Sequence, residues 1–160
     1  MASTYSPSLR IELIGAGDQA GTWNTTTNTN LGTLIETAIA GNVTVSVASA
    51  DQALTATNGV TDQARQAILT LTTSTGAAFA IYAPPQPKQY IIYNTTAYAA
   101  TIYNSTVLGN TTAAGTGVVI PAGKKLVVFS DTVDFRSVDT YNLTGAITSV
   151  GSVTSLGSFT

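Results

Sequence analysis

The chain has 160 residues, of which 44% are hydrophobic and 9% are charged, and it contains no His and no Cys. The absence of imidazole and thiol groups excludes a Ser-His-Asp triad, His-ligated zinc, cysteine nucleophiles and disulfides. The formal net charge of -2, without a basic cluster, argues against nucleic acid and anionic membranes as partners. We therefore expect a structural or binding protein that is not an enzyme and needs no cofactor or metal.

Residues 1–41 are predicted to form a strand, a loop and the one short helix of the chain. Residues 9–14 alternate apolar and polar side chains until a glycine-rich turn, as a strand does. Trp23 is predicted to pin the next, irregular loop to the body of the protein through its large apolar area. A helix should follow, with Asn30 as N-cap and Gly41 at the C′ position. Its buried face would consist of Leu31, Leu34, Ile35, Ala38 and Ile39.

Residues 42–141 are predicted to form an antiparallel β-sandwich or a small barrel. Abundant Thr and the alternation of Val with small polar residues over 43–47 favour strands. Further compact β segments are predicted at 78–82, 89–94, 99–104, 118–120 and 125–129. Pro121 and Gly123 are placed for a type I turn, which predicts that the last two of these strands form an antiparallel hairpin. Residues 142–160 have little bulk and are interpreted as an extended tail or the start of a stalk.

The first residues lack a basic stretch followed by an apolar one, and no later apolar run is long enough to cross a bilayer. We expect a protein that is made in the cytoplasm and does not insert into a membrane.

Two short motifs suggest chemistry but fit poorly. Residues 15–20 satisfy G-x-G-x-x-A, yet the predicted helix opens about ten residues later, so a nucleotide site is disfavoured. Asp131, Asp134 and Asp139 could in principle serve a glycosidase or bind calcium, but their spacing lacks the EF-hand pattern. A solvated loop is the favoured interpretation of these three carboxylates.

Five tyrosines lie close together in the middle of the sequence, namely Tyr82, Tyr90, Tyr93, Tyr98 and Tyr103. They suggest either an aromatic platform for sugar rings or, more commonly, cross-strand pairs within a sheet. The candidate ligand or interface residues are Trp23, Tyr93, Tyr98 and Tyr103.

Two stretches resemble structural proteins of tailed-bacteriophage particles, often tail fibres. The first covers residues 4–23 (TYSPSLRIELIGAGDQAGTW) and 27–36 (TNTNLGTLIE), and the second covers residues 88–96 (KQYIIYNTT) and 115–124 (GTGVVIPAGK). The family usually has Asp-Gly-Thr-Asn after the last strand, whereas here Asp131 is followed by Thr132.

The resemblance implies a virion component without enzymatic activity, usually a homotrimer, whose N-terminal part attaches to the particle. The expected function is that of a tail fibre or its particle-proximal anchor, with other tail, baseplate or capsid proteins as partners. Capsid decoration, as by a head-fibre protein, is the close alternative. A module that binds host surface glycans through the tyrosines is a second alternative, and a polysaccharide depolymerase using Asp131 and Asp134 is a third.

Overall fold

A computed structural model describes residues 1–48 and 50–138 of the chain. The N-terminal part contains β1 (Thr4–Tyr5) and β2 (Glu12–Leu13), followed by α1 (Trp23–Thr29), a π-helical stretch (Asn30–Ile35) and α2 (Glu36–Ala40). These three helical pieces run on directly from one another, and we refer to residues 23–40 as the helical segment. The predicted tail at 142–160 and Asp139 lie outside the described residues.

Nine further strands follow the helical segment. They are β3 (Asn42–Val47), β4 (Asp51–Ala53), β5 (Ile68–Thr73), β6 (Phe79–Ala83), β7 (Lys88–Asn94), β8 (Ala100–Asn104), β9 (Val118–Ile120), β10 (Lys125–Ser130) and β11 (Phe135–Ser137). They form a five-stranded sheet in the order β11-β10-β7-β5-β3 and a four-stranded sheet in the order β4-β6-β8-β9. The mainly β, sandwich-like architecture with one helical region is therefore confirmed. The sheets are open, which selects the sandwich over the barrel.

The sequence predicts antiparallel strands, but several strand pairs are parallel. The reason is that the chain alternates between the two sheets. From β3 to β8, each strand joins the sheet opposite to that of the strand before it. A chain that leaves one sheet, adds a strand to the opposite sheet and then returns runs through the first sheet in its original direction. The pairs β3–β5, β5–β7, β4–β6 and β6–β8 are accordingly parallel, while β9, β10 and β11 pair in an antiparallel manner.

The hairpin predicted around Pro121 is wrong, although the turn itself exists. The Lys124 N–H donates to the Pro121 carbonyl at 3.1 Å, and Gly123 takes a φ of 69°, which glycine adopts without strain. The turn therefore begins at Pro121 itself rather than one residue earlier. It carries the chain from β9 in one sheet to β10 in the other, so these two strands do not pair with each other.

One apolar core lies between the two sheets. The five-stranded sheet contributes alternate residues such as Val45, Leu71 and Ile92, and the four-stranded sheet contributes Ile81 and Ile102. All five are at most 1% exposed. Burying a side chain of this size contributes about 1.5–3 kcal/mol, so this cluster is the main source of stability. The two-residue period explains why the strands were recognisable from the sequence.

The N-terminal part contributes little to this core. Among residues 1–40, Leu34 alone is buried. The helical segment ends at Gly41, as predicted, but Gly41 has an extended backbone (φ -71°, ψ 146°) rather than the left-handed one expected at C′. Glycine is needed there for another reason, because a Cβ at this position would collide with the Gln66 side chain and the Thr37 carbonyl. This contact brings the end of the helical segment against the loop before β5.

Candidate functional site

The helical segment begins at Trp23, seven positions before the predicted N-cap, Asn30. Asn30 is therefore not an N-cap but lies within the segment, in the π-helical stretch. Its side chain is used differently: Nδ2 donates to the Glu12 carbonyl at 2.7 Å, and Oδ1 accepts from the Glu12 N–H at 3.2 Å. This two-way contact attaches the helical segment to β2 through polar groups.

A second set of polar contacts reinforces the same junction. Gln19 Nε2 donates to Glu12 Oε1 at 2.5 Å, and the Thr26 hydroxyl donates to Gln19 Oε1 at 2.5 Å. The helical segment is thus held against β2 and the preceding loop by amide, hydroxyl and carboxylate groups. Only part of its apolar surface is buried, since Leu34 is fully buried while other large apolar side chains are not.

Several large apolar side chains of this region are consequently exposed. Trp23 is 58% exposed, Leu31 59% and Ile39 75%, whereas Leu34 is fully buried. The prediction that Trp23 pins its loop is therefore wrong, and the predicted buried helix face is buried only in part. A π-helical stretch has more residues per turn than an α-helix, so it shifts the residues that follow it around the helix axis. We call Trp23, Leu31 and Ile39 the exposed helix residues.

The predicted tyrosine platform is not assembled as one surface. Tyr82 and Tyr103 occupy paired positions on β6 and β8, and their rings stack with centroids 5.6 Å apart. Tyr103 alternates with core residue Ile102 and so faces outwards from the four-stranded sheet. By the same alternation Tyr93 lies on the outer face of the five-stranded sheet, where Lys125 Nζ is 4.5 Å from the centre of its ring.

The remaining two tyrosines have separate environments. Tyr90 is 2% exposed and donates its hydroxyl to the Ala64 carbonyl at 2.9 Å, so it belongs to the core. Burial raises the pKa of the Tyr90 hydroxyl far above its ordinary value. Tyr98 is 38% exposed in the loop after β7, where its carbonyl accepts from Asn94 Nδ2 at 2.8 Å. Sugar stacking across Tyr93, Tyr98 and Tyr103 would require one shared face, and Tyr93 and Tyr103 lie on opposite sides of the sandwich.

Asp131 and Asp134 build a turn. Asp131 Oδ1 accepts from the backbone N–H groups of Val133 and Asp134 at 3.2 and 2.8 Å, and these bonds lower the pKa of the Asp131 carboxyl. Arg136 pairs with both carboxylates, each at 3.2 Å. The two acids are therefore engaged in local structure between β10 and β11, as the loop interpretation predicted.

Thr132, between these acids, has a φ of 89°. A positive φ is a strained conformation for a β-branched residue and an ordinary one for glycine. This is the position at which the phage proteins that the sequence resembles usually have glycine. Thr132 is therefore poorly suited to the backbone conformation that this turn requires.

The loop that contains the glycine motif, residues 15–20, is in contact with the N-terminus of the chain. The Met1 amino group donates to the Ala16 carbonyl at 2.9 Å, and the Ser3 hydroxyl donates to Asp18 Oδ2 at 2.8 Å. This hydroxyl and two backbone N–H groups lower the pKa of the Asp18 carboxyl. A Cβ on Gly15 would collide with the backbone of Met1 and Ala2, so this glycine serves close packing of the N-terminus.

Searches of the described ranges, 1–48 and 50–138, give two further results. They contain no group of three or more acidic, His or Cys side chains arranged to hold a metal ion. None of their helices has both the length and the apolar character needed to span a membrane. Comparisons of the chain with protein-family models, with curated proteins and with solved structures find no match.

Proposed function

We propose that this chain is a structural protein of a bacteriophage particle, a tail fibre or the particle-proximal anchor of one, and that its N-terminal helical segment binds another virion protein. The observation that carries the proposal is the exposure of Trp23, Leu31 and Ile39 on a segment that hydrogen bonds attach to β2. Exposed apolar patches commonly mark protein–protein contacts, and Trp is a frequent anchor.

The position of these residues agrees with the role suggested by the sequence resemblance. In the proteins that the sequence resembles, the N-terminal part attaches to the particle, and the exposed helix residues lie in that part. Capsid decoration, as by a head-fibre protein, would use the same surface on a different partner. The two versions of the proposal differ only in where on the particle the partner lies.

We further propose that the sandwich assembles as a homotrimer. Ile68, Ile91 and Val127 occupy paired positions on three neighbouring strands and alternate with core residues, so they form an apolar row on the outer face of the five-stranded sheet. Phe129, two residues along β10, is 38% exposed on the same face. Contact between copies would remove this row from water.

Mass spectrometry of purified particles tests the main proposal. Particles from a lysate of the strain that carries this gene should contain the chain in stoichiometric amount, and an image reconstruction with the chain labelled should place it on the tail or on the capsid. Particles that lack the chain would refute the virion role. Light scattering at about micromolar concentration tests the assembly, and a monomer there would refute the trimer.

A further inference from the structure

A small, partly open cavity lies where the N-terminal segment meets the sandwich. Its volume is about 60 Å³, and its walls come from residues 7–10, from residues 56–65, from residues 84–90 and from Leu108. This space is several times the roughly 10–15 Å³ that a single buried water needs. The wall includes apolar groups, such as Leu9 and Pro84, together with the side chains of Arg10, Asp62, Arg65 and Lys88.

Asp62 and Arg65 satisfy each other and the neighbouring backbone. Asp62 accepts hydrogen bonds from the backbone N–H groups of Thr57 and Arg65 at 2.7 and 2.8 Å, and it pairs with Arg65 Nη1 at 3.3 Å. Arg65 Nε donates to the Leu9 carbonyl at 2.9 Å, and Nη2 donates to the Thr57 carbonyl at 3.1 Å. The two side chains are 3% exposed or less, so they form a neutral, saturated, structural pair.

One buried hydrogen-bond donor of Arg10 has no acceptor. Its Nε is buried and makes no hydrogen bond, which is an unfavourable state for a charged guanidinium. The backbone of Arg10 also has a positive φ of 53°, and its carbonyl accepts from the Gly59 N–H at 2.9 Å. The main chain thus fixes the side chain at the cavity wall.

Lys88 is the second cation without a carboxylate partner. Its Nζ lies 4.7 Å from the centre of the Tyr90 ring, and its one hydrogen bond is a long contact of 3.5 Å to the Gln89 carbonyl. Burial lowers the pKa of Lys88 to about 8. Within residues 1–48 and 50–138, the ion pairs found involve only Arg65 and Arg136, so neither Arg10 nor Lys88 forms an ion pair, although the Asp62 charge acts on Lys88 from a longer distance.

We propose that this cavity binds a small oxyanion of the phosphate class, held by Arg10 and Lys88. Three cations and one carboxylate line the space, which leaves an excess of two positive charges for one dianion. Arginine donates two parallel hydrogen bonds to phosphate oxygens, and lysine adds a compact positive charge. The apolar part of the wall lowers the local dielectric constant, which strengthens both contacts. The Tyr90 hydroxyl does not compete, because it donates to Ala64.

Binding would also connect two parts of the molecule. Arg10 belongs to the N-terminal segment and Lys88 begins β7 of the sandwich, so one anion would bridge them. The predicted consequence is tighter attachment of residues 1–41 to the sandwich. This inference concerns a site distinct from the exposed helix residues, and it holds or fails independently of the virion role.

The test uses the full chain and inorganic phosphate, with chloride and acetate at equal ionic strength for comparison. Phosphate at about 10 mM is expected to raise Tm by a few degrees, whereas chloride and acetate are not. In a ¹⁵N-labelled sample the Arg10 Nε–H signal should shift on titration with phosphate and saturate. An unchanged Tm together with an unchanged Arg10 signal would overturn the proposal, and a response to acetate but not to phosphate would overturn the phosphate class.

Two variants and one control locate the effect. Arg10→Gln and Lys88→Met should each weaken the apparent affinity for phosphate at least about tenfold. The phosphate-induced increase in Tm should become smaller accordingly. Lys124→Met removes an exposed lysine in the turn after β9 and should respond as the wild type does. An equal response in all three variants would show general ion effects and would refute the site. Because the NMR titration uses the wild-type chain, the test stands even where a variant folds poorly.

Discussion

Asn30 and Glu12 are joined by a two-way contact in which the Asn30 side-chain amide pairs with the Glu12 backbone, donating at 2.7 Å and accepting at 3.2 Å. The amide thereby imitates the pairing of a neighbouring strand. Because Glu12 lies on β2, this contact sets where the helical segment lies relative to the N-terminal strands. It also helps to hold the segment while Trp23, Leu31 and Ile39 stay exposed.

Asn30→Ala should therefore destabilise the protein. The change removes both hydrogen bonds and leaves the Glu12 N–H and carbonyl partly buried, which should lower the free energy of unfolding by about 1–2 kcal/mol. Asn28→Ala is the control, since Asn28 is exposed in the same segment and alanine favours helix there. Urea unfolding measures both variants. Equal stability of the two would contradict the role given to Asn30.

Thr132→Gly should stabilise the turn between β10 and β11. Thr132 has a φ of 89°, so glycine would relieve strain worth about 1 kcal/mol, while the bonds from Asp131 to the backbone remain. Thr111→Gly, in an exposed loop at a residue without positive φ, should be neutral or destabilising. Thermal unfolding compares the two. A decrease in Tm for Thr132→Gly would contradict the strain argument.

The strands were predictable and their pairing was not, for one physical reason. Val43, Val45 and Val47 alternate with polar residues because one face of β3 is buried, and this alternation is the same in parallel and antiparallel sheets. Pro121 and Gly123 indicate a turn from local backbone preferences alone. Those preferences do not say which sheet the next strand joins, so the turn could be predicted while the hairpin was wrong.

The candidate sites, too, could be predicted from local sequence patterns only in part. The spacing of Leu31 and Ile39 indicates an apolar helix face, but exposure depends on what the rest of the chain brings against that face. The cavity was missed because Arg10 and Lys88 are far apart in sequence, and neither has a local motif that marks it. The one signal in the sequence is that both are among only six basic residues. Their meeting is a product of the tertiary fold.

Ile39→Lys should abolish binding to the particle without affecting folding. Ile39 is 75% exposed near the end of the helical segment, where a positive charge is favourable, so stability should change by less than about 0.5 kcal/mol. A charge within an apolar contact should weaken binding at least about a hundredfold. Co-sedimentation with particles that lack the chain measures the effect.

Val107→Lys is the matched control for this change. Val107 is 64% exposed in the loop after β8 and does not belong to the helical segment, so its variant should bind as the wild type does. Ile91→Lys, on the outer face of the five-stranded sheet, should instead disrupt the trimer and leave the helical segment intact. Full binding by Ile39→Lys would refute the assignment of the exposed helix residues to particle attachment.

The pH dependence of stability should report the environment of Lys88. Its pKa is about 8 in the folded chain, against an ordinary value of 10.5. Below pH 8 the lysine is protonated in both states, and the cost of burying its charge is fully present. Between pH 8 and pH 10.5 the unfolded chain binds more protons than the folded chain, so the free energy of unfolding should increase with pH. The groups facing Lys88 are Asp62, Arg65, Arg10 and Tyr90.

Lys88→Met should remove this increase. Urea unfolding of both proteins between about pH 7 and about pH 9.5, without phosphate or sulfate, gives the difference between wild type and variant. The upper limit matters because the raised pKa of Tyr90 acts in the opposite sense once unfolded tyrosine ionises, near pH 10. Added phosphate should flatten the wild-type curve near pH 8, since a bound anion raises the pKa of Lys88. A difference that does not change with pH would contradict the buried, unpaired state of this lysine.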